Sequence, residues 1–271
     1  MKSWFITGAS RGFGALITEA VLASGDAVVA TARDPSSIAD HPRLLKLPLD
    51  VTNEGQARDA AARGIEKFGR IDVLVNNAGY GLLGAVEEAN ALETERVFAT
   101  NVFGLLNVTR AVLPDMRKRR SGHIINMSSI GGYASYPGWG VYCATKFAVE
   151  GISEALSIEL EPLGIHATVV EPGYFRTTFL SAQSLSSTAA RIDDYADTVG
   201  KMRTFAAAAN HQQPGDPQRL AQVIVQLAAA RKPPTRLALG RDTVAAIQKK
   251  HREVERELGL WHSVSLSTDF N

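Results

Sequence analysis

The sequence predicts an α/β protein, a single domain over residues 1–271 built on a doubly wound parallel sheet with helices on both faces. Three observations predict it. Seven short runs are apolar nearly throughout, as strands buried on both faces must be. Longer amphipathic stretches separate them, and strand–helix alternation on that scale implies right-handed crossovers. A glycine-rich turn joins the first run directly to the first amphipathic stretch.

The predicted strands are "SWFIT", "AVVATA", "LLKLPL", "DVLVNN", "HIINMS", "HATVVE" and "RLALG". The predicted helices cover 12–24, 53–68, 92–119, 141–162 and 217–230. The basic run "RKRR" (117–120) closes one of them, where positive charge suits the helix dipole. Residues 174–217 break the rhythm. They are rich in Ser, Ala and Thr, end in "NHQQPGDP" and read as a mobile substrate lid or a short helical insertion. A charged amphipathic helix follows in the region 241–271, and "HSVSLSTDFN" reads as its loose end.

With 271 residues and a formal net charge of +1, the chain carries neither a nucleic-acid footprint nor an acidic tail. Its single cysteine, Cys143, excludes a disulfide within the chain, as expected in a reducing compartment. Only a short apolar run precedes the glycine loop, so no signal-peptide core and no uncharged membrane span is expected. These points predict a cytoplasmic protein. The histidines are scattered, with no metal-ligand spacing.

The turn "TGASRGFG" spans Thr7–Gly14. Gly8 permits a tight turn. Gly12 and Gly14, lacking side chains, let a pyrophosphate approach the backbone and the helix pack on the sheet. Ser10, Arg11 and Phe13 complete the loop. The free N–H groups of the helix N-terminus then face the phosphates. At the end of the second strand, "VVATARDP" places Ala32 where an acid would bind a ribose 2′-hydroxyl. Arg33 follows, with Arg11 expected within reach of the same phosphate. Two guanidiniums and no strand-end acid favour NADP(H), provided Asp34 points away.

These residues resemble the short-chain dehydrogenase/reductase family over nearly the whole chain. The resemblance rests on the TGxxxGxG pattern (Thr7–Gly14), "DVT" (50–52), "NNAG" (76–79), Asn101 in "TNVFG", Ser129 in "NMSS", "YCATK" (142–146) and "PGYFRT" (172–177). The glycine spacing is similar to that of the shorter, non-extended branch. Ala32–Arg33 resembles its NADP-preferring members, whereas Phe13 departs from the usual Ile. The C-terminal region resembles oxidoreductases near the hydroxysteroid and retinol dehydrogenases. The resemblance implies a Rossmann fold in which Asp50 and Val51 flank the adenine. It also implies that Asn77, Ala78 and Gly79 line the adenosine ribose side, while Pro172, Gly173 and Thr177 hold the nicotinamide amide.

Tyr142 and Lys146 lie one helical turn apart and so share a face. Hydride transfer to a carbonyl leaves an alkoxide that needs a proton, and a phenol can supply it. A free tyrosine, near ~10, is too weak an acid for neutral pH. Lys146 is expected to lower that value, and the family implies that it also bonds the nicotinamide ribose. Ser129 is expected to hold the substrate oxygen against Tyr142, with Ser128 as the alternative donor. Asn101 is expected to hold a water linking Lys146 to solvent, or else simply to bond backbone. These groups predict NADP(H)-dependent carbonyl–alcohol interconversion. A non-catalytic NADP-binding scaffold is the competing reading, and an activated phenol argues against it. Tyr80, Tyr133, Tyr136, Trp139, Phe175 and Phe179 are the candidates to line a pocket for a small hydrophobic carbonyl or alcohol. The apolar helices 92–119 and 141–162 suggest a homodimer or homotetramer.

Overall fold

The computed structural model describes residues 1–270. Its main sheet has seven strands: β1 (Ser3–Thr7), β2 (Ala27–Ala32), β3 (Leu44–Pro48), β4 (Val73–Asn76), β5 (Gly122–Met127), β6 (Ile165–Pro172) and β7 (Arg236–Leu239). Each falls on a predicted run. The order is β3-β2-β1-β4-β5-β6-β7, and every pairing is parallel. The order reverses between β1 and β4, so a crevice opens there outside the strands' carboxyl ends.

Every residue of β1, β2 and β4 is buried, because helices cover both faces. Alternate residues of each strand feed two cores. Ile6, Val28 and Ile125 pack with α1 (Gly12–Ala23) and, through Leu220 and Ile224, with α7 (Pro217–Ala229). Phe5, Val29 and Ile124 pack with α2 (Glu54–Phe68), α4 (Leu105–Arg119) and α5 (Gly140–Leu160). Local signals fix the helix ends. Asn53 caps α2 by accepting from Gln56 N at 3.0 Å, and Gly69 closes it at φ +81°. Asp216 caps α7, with Pro217 in its first turn.

The expected helix 92–119 is α3 (Ala91–Phe98) and α4 joined by a π-helical turn, Ala99–Gly104. The run Ala91–Arg119 is long and apolar enough to cross a bilayer, with mean hydropathy 1.2, but half of its apolar window is buried in the protein. It serves as a core helix.

One expectation resolves between its alternatives and one needs correcting. Residues 174–217 follow the helical-insertion alternative and are stapled to the body. Leu185–Ser187 pairs in parallel with Gly81–Leu83. Buried Glu88 accepts from Ala85 N (2.7 Å), Ile192 N (2.9 Å) and the guanidinium of Arg203 on α6 (Lys201–Ala209). Burial works against the charge of Glu88, but Arg203 and the two amides outweigh it and hold the carboxyl near about 2. The serine-rich end predicted as loose contains a short helix, α9 (His262–Leu266), after α8 (Arg241–Leu260). Asn271, in that tail, lies outside the described residues.

Candidate active site

A cavity of about 1060 Å³ opens at the carboxyl ends of the strands. All but three of the residues expected to form the site line it; the exceptions are Gly14, Asn101 and Tyr133. The glycine loop has the geometry of a phosphate cradle. Gly8 and Gly12 sit at φ +66° and +54°, in the left-handed region. A side chain on Gly12 would meet nothing within 4 Å, so this backbone is open to a ligand. A Cβ on Gly14 would lie 2.2 Å from Gly8 O, so here glycine serves helix–strand packing. Asn77 and Thr7 brace the turn. Asn77 Nδ2 donates to Thr7 O at 2.9 Å, and Thr7 Oγ1 accepts from Asn77 N at 2.9 Å and Ala78 N at 3.0 Å. A cradle open at Gly12 above a helix N-terminus fits a dinucleotide's phosphates.

At the adenosine end Arg33 borders the cavity, as does Asp34, whose carboxylate turns to accept Ser36 N at 2.9 Å. Arg96 on α3 lines the same end, and both arginines act electrostatically on Tyr80. Arg96 escaped sequence reading because it stands in no motif. Arg11 departs from expectation. Its guanidinium donates to Ser184 Oγ (3.2 Å) and Gln183 O (2.6 Å), fastening the insertion to the cradle rather than awaiting a 2′-phosphate. Asp50 Oδ1 accepts from Thr52 N and Oγ1, and Val51 fills the space that glycine leaves at Gly104. The adenine-side loop is thereby fixed.

Tyr142 and Lys146, on α5, and Ser129, just beyond β5, meet at the cavity. Both α5 side chains are buried. Trp139 and Phe179 enclose the Tyr142 ring at centroid distances of 5.6 and 5.7 Å. Phe13 stacks edge-on against Phe175 at 5.6 Å. Tyr133 leaves this group of aromatics: it lies outside the cavity and hydrogen-bonds His251 of α8. At the nicotinamide end, Thr177 Oγ1 accepts from Phe179 N, while Asp242 accepts from Tyr174 N at 2.7 Å and packs on Gly173.

Electrostatics overturn one expectation. Burial pushes the Tyr142 phenol above its ordinary value; the Ser129 hydroxyl pulls the other way but does not win. In the chain alone Lys146 does not offset that burial: its Nζ lies 5.8 Å from the ring centroid and donates to Met127 O at 2.8 Å. Burial also lowers Lys146 to about 8, against Glu150 one turn on, which favours its charge. Behind the lysine, Glu171 is raised to about 7 by burial and by the adjacent Glu150, with Arg236 opposing. One acid on a helix and one in an apolar strand, 21 residues apart, give no sign of such a pair in a sequence. Asn101 Oδ1 accepts from Tyr80 N (3.0 Å), and its Nδ2 donates to Tyr80 O (2.9 Å) and Thr145 Oγ1 (3.1 Å). Its side chain braces the Tyr80 backbone and Thr145, as the backbone-bonding alternative describes.

Residues 2–187 match the family model for short chain dehydrogenases. The chain belongs to that family and is an oxidoreductase. It is 42% identical to a 3-ketodihydrosphingosine reductase of Bacteroides thetaiotaomicron, over 87% of this chain and 86% of that one. Among solved structures it is similar to a short-chain dehydrogenase from Streptomyces avermitilis (TM-score 0.92, 41% identity, covering 99% and 100% of the two chains). It is also similar to a serine dehydrogenase complexed with NADP+ (TM-score 0.73, 28% identity, covering 88% and 94%). The cradle is thus a site for a nicotinamide dinucleotide.

Proposed function

We propose that the protein is an NADP(H)-dependent oxidoreductase interconverting a bulky, largely apolar ketone or aldehyde with its alcohol. The observation that carries this reading is the convergence of Tyr142, Ser129 and Lys146 on one cavity with the phosphate cradle. Arg33 and Arg96 at its adenosine end support NADP(H), because guanidiniums suit a 2′-phosphate. Trp139, Phe179 and Leu185 support an apolar substrate. The similarity to a 3-ketodihydrosphingosine reductase supports a ketone substrate.

When bound, the cofactor supplies hydride and, in its oxidised form, a positive ring charge beside the phenol. Ser129 holds the substrate oxygen. Tyr142, kept protonated by burial, donates its proton to that oxygen as negative charge develops there. Lys146 would hold the cofactor's ribose and pass a proton from solvent back to Tyr142. Asn101 is a positioning residue: through Thr145 and the Tyr80 backbone it fixes the wall beside Lys146.

NADPH consumption with a panel of apolar ketones tests the activity. Tyr142→Phe is expected to lower turnover at least ~100-fold while NADPH still binds; undiminished turnover refutes the role of Tyr142. We also propose a homodimer or homotetramer in the cytoplasm. Phe103, Phe147 and Ile158, exposed on the helix pair, support the assembly. The lone thiol, Cys143, supports the compartment. Light scattering that finds only monomer rejects the assembly.

A further inference from the structure

We propose that Gln213 is a specificity residue that reads a hydroxyl group on the substrate, so that the enzyme selects a hydroxylated apolar ketone over the plain one. The inference rests on the carbonyl-reductase reading and deepens it. Gln213 lies in the turn between α6 and α7. Its neighbours His211 and Gln212 are exposed, yet Gln213 is only 3% exposed. The turn is stitched to the loop after β6: Arg176 Nε donates to Gln213 O at 3.2 Å, Arg176 N donates to Gly215 O at 2.9 Å, and Gly215 N donates to Tyr174 O at 3.0 Å. The backbone is therefore held, and the side chain reaches the wall of the cavity that contains Tyr142 and Ser129.

There the amide is unpartnered at both ends, Nε2 and Oε1 alike. Buried polar groups are nearly always paired, so an orphan on a ligand cavity wall points to a ligand. A second orphan agrees. Trp139 Nε1, on a residue 6% exposed and lining the same cavity, also has no partner. The same cavity carries Phe175, Phe179, Leu180 and Leu185, which accept a hydrocarbon body. A primary amide sets an N–H donor group beside a carbonyl acceptor, and a hydroxyl complements both. A plain hydrocarbon would leave the amide desolvated and unpaired, and sites built around a hydrogen bond discriminate strongly against such analogues.

The test uses the full-length protein with NADPH and matched long-chain ketones, with and without a hydroxyl. The wild type is expected to favour the hydroxylated ketones by at least about tenfold in kcat/KM. Gln213→Leu should bring that ratio to about 1, and Gln213→Glu, which keeps an acceptor but loses the donor, to an intermediate value. Gln212→Leu, at the exposed neighbour, should leave the ratio as it is. A ratio unmoved by Gln213→Leu overturns the proposal. So does a loss of NADPH affinity in that variant with equal loss for both ketones, since the amide would then read the cofactor. Binding of the same ketones to NADPH-loaded Tyr142→Phe, by calorimetry, needs no turnover. If no ketone is reduced the reductase reading fails, while this arm still decides whether Gln213→Leu erases hydroxyl preference.

Discussion

The two edges of the sheet share strands and cores but treat their polar groups in opposite ways. At the amino edge most groups are paired within the protein, Arg43 Nε being the exception. Trp4 Nε1 donates to Asp26 at 3.1 Å, Asp72 accepts from Ser3 N (2.9 Å) and Arg70 Nε (3.0 Å), and His123 Nε2 bonds Thr168 Oγ1 at 3.0 Å. At the carboxyl edge, Trp139 Nε1 and the amide of Gln213 have no partner. One edge is closed by internal bonds; the other keeps hydrogen-bonding capacity for molecules that enter. A doubly wound sheet puts its crevice outside the carboxyl ends, and here the distribution of unpaired polar atoms follows that geometry.

Two glycines break this comparison most sharply. Gly14→Ala, at the carboxyl edge, would drive Cβ into Gly8 O, which is backbone and cannot yield cheaply. Overpacking of roughly 2–3 kcal/mol should weaken NADPH binding by about 30- to 150-fold and lower Tm. Gly25→Ala, between α1 and β2, meets nothing within 4 Å and suffers only the strain of φ +94°. It should cost roughly 1 kcal/mol of stability and leave NADPH affinity alone. Calorimetric titration of both variants decides: equal loss of affinity would mean that the cradle's geometry is not what holds the nucleotide.

Cofactor choice is the next effect in size. Hydrogen bonds to charged groups contribute roughly 1.5–3 kcal/mol, so Arg33→Ser should reduce NADPH-over-NADH preference by about 10- to 100-fold. Arg96→Ser should move it the same way. Ratios of kcat/KM for the two cofactors measure both. A wild type without preference removes the argument from Arg33. No change in Arg96→Ser removes Arg96 alone.

What could be read in the sequence follows from how locally each feature is specified. All seven strands were legible because burial on both faces makes each a short apolar run. The cradle was legible because its backbone conformation requires glycine at particular steps. Tyr142, Lys146 and Ser129 were legible because one helical turn and one strand end bring them together. Arg96, Gln213 and the Glu150–Glu171 pair were not, since segments far apart in the chain place them. Direction was harder than position. The sequence located Arg11 correctly on the loop but not its partners, Gln183 and Ser184, which belong to an insertion some 170 residues away. Likewise the sign of the Tyr142 shift depends on how deeply α5 is covered, and a four-residue spacing does not report that.

The last effect probes the amino edge through acid. His123 begins the buried part of β5, whose other end leads to Ser129, and its ring lies 5.9 Å from that of His166. Burial, with His166 and Lys2 adding to it, pushes His123 down to about 3 from an ordinary 6.5. In the unfolded chain the imidazole takes a proton as pH falls through 6.5; in the folded chain it does not until about 3. The unfolded state therefore binds more protons across that window, and stability falls with falling pH. The slope should approach about 1.4 kcal/mol per pH unit below pH 6. His123→Gln keeps a polar partner for Thr168 without the titration, so it should flatten this acid limb while leaving the kinetic pH profile at the carboxyl edge unchanged. Urea melts between pH 7 and 4 measure the first and NADPH turnover the second. A melt series as steep as that of the wild type would show that the acid sensitivity arises elsewhere.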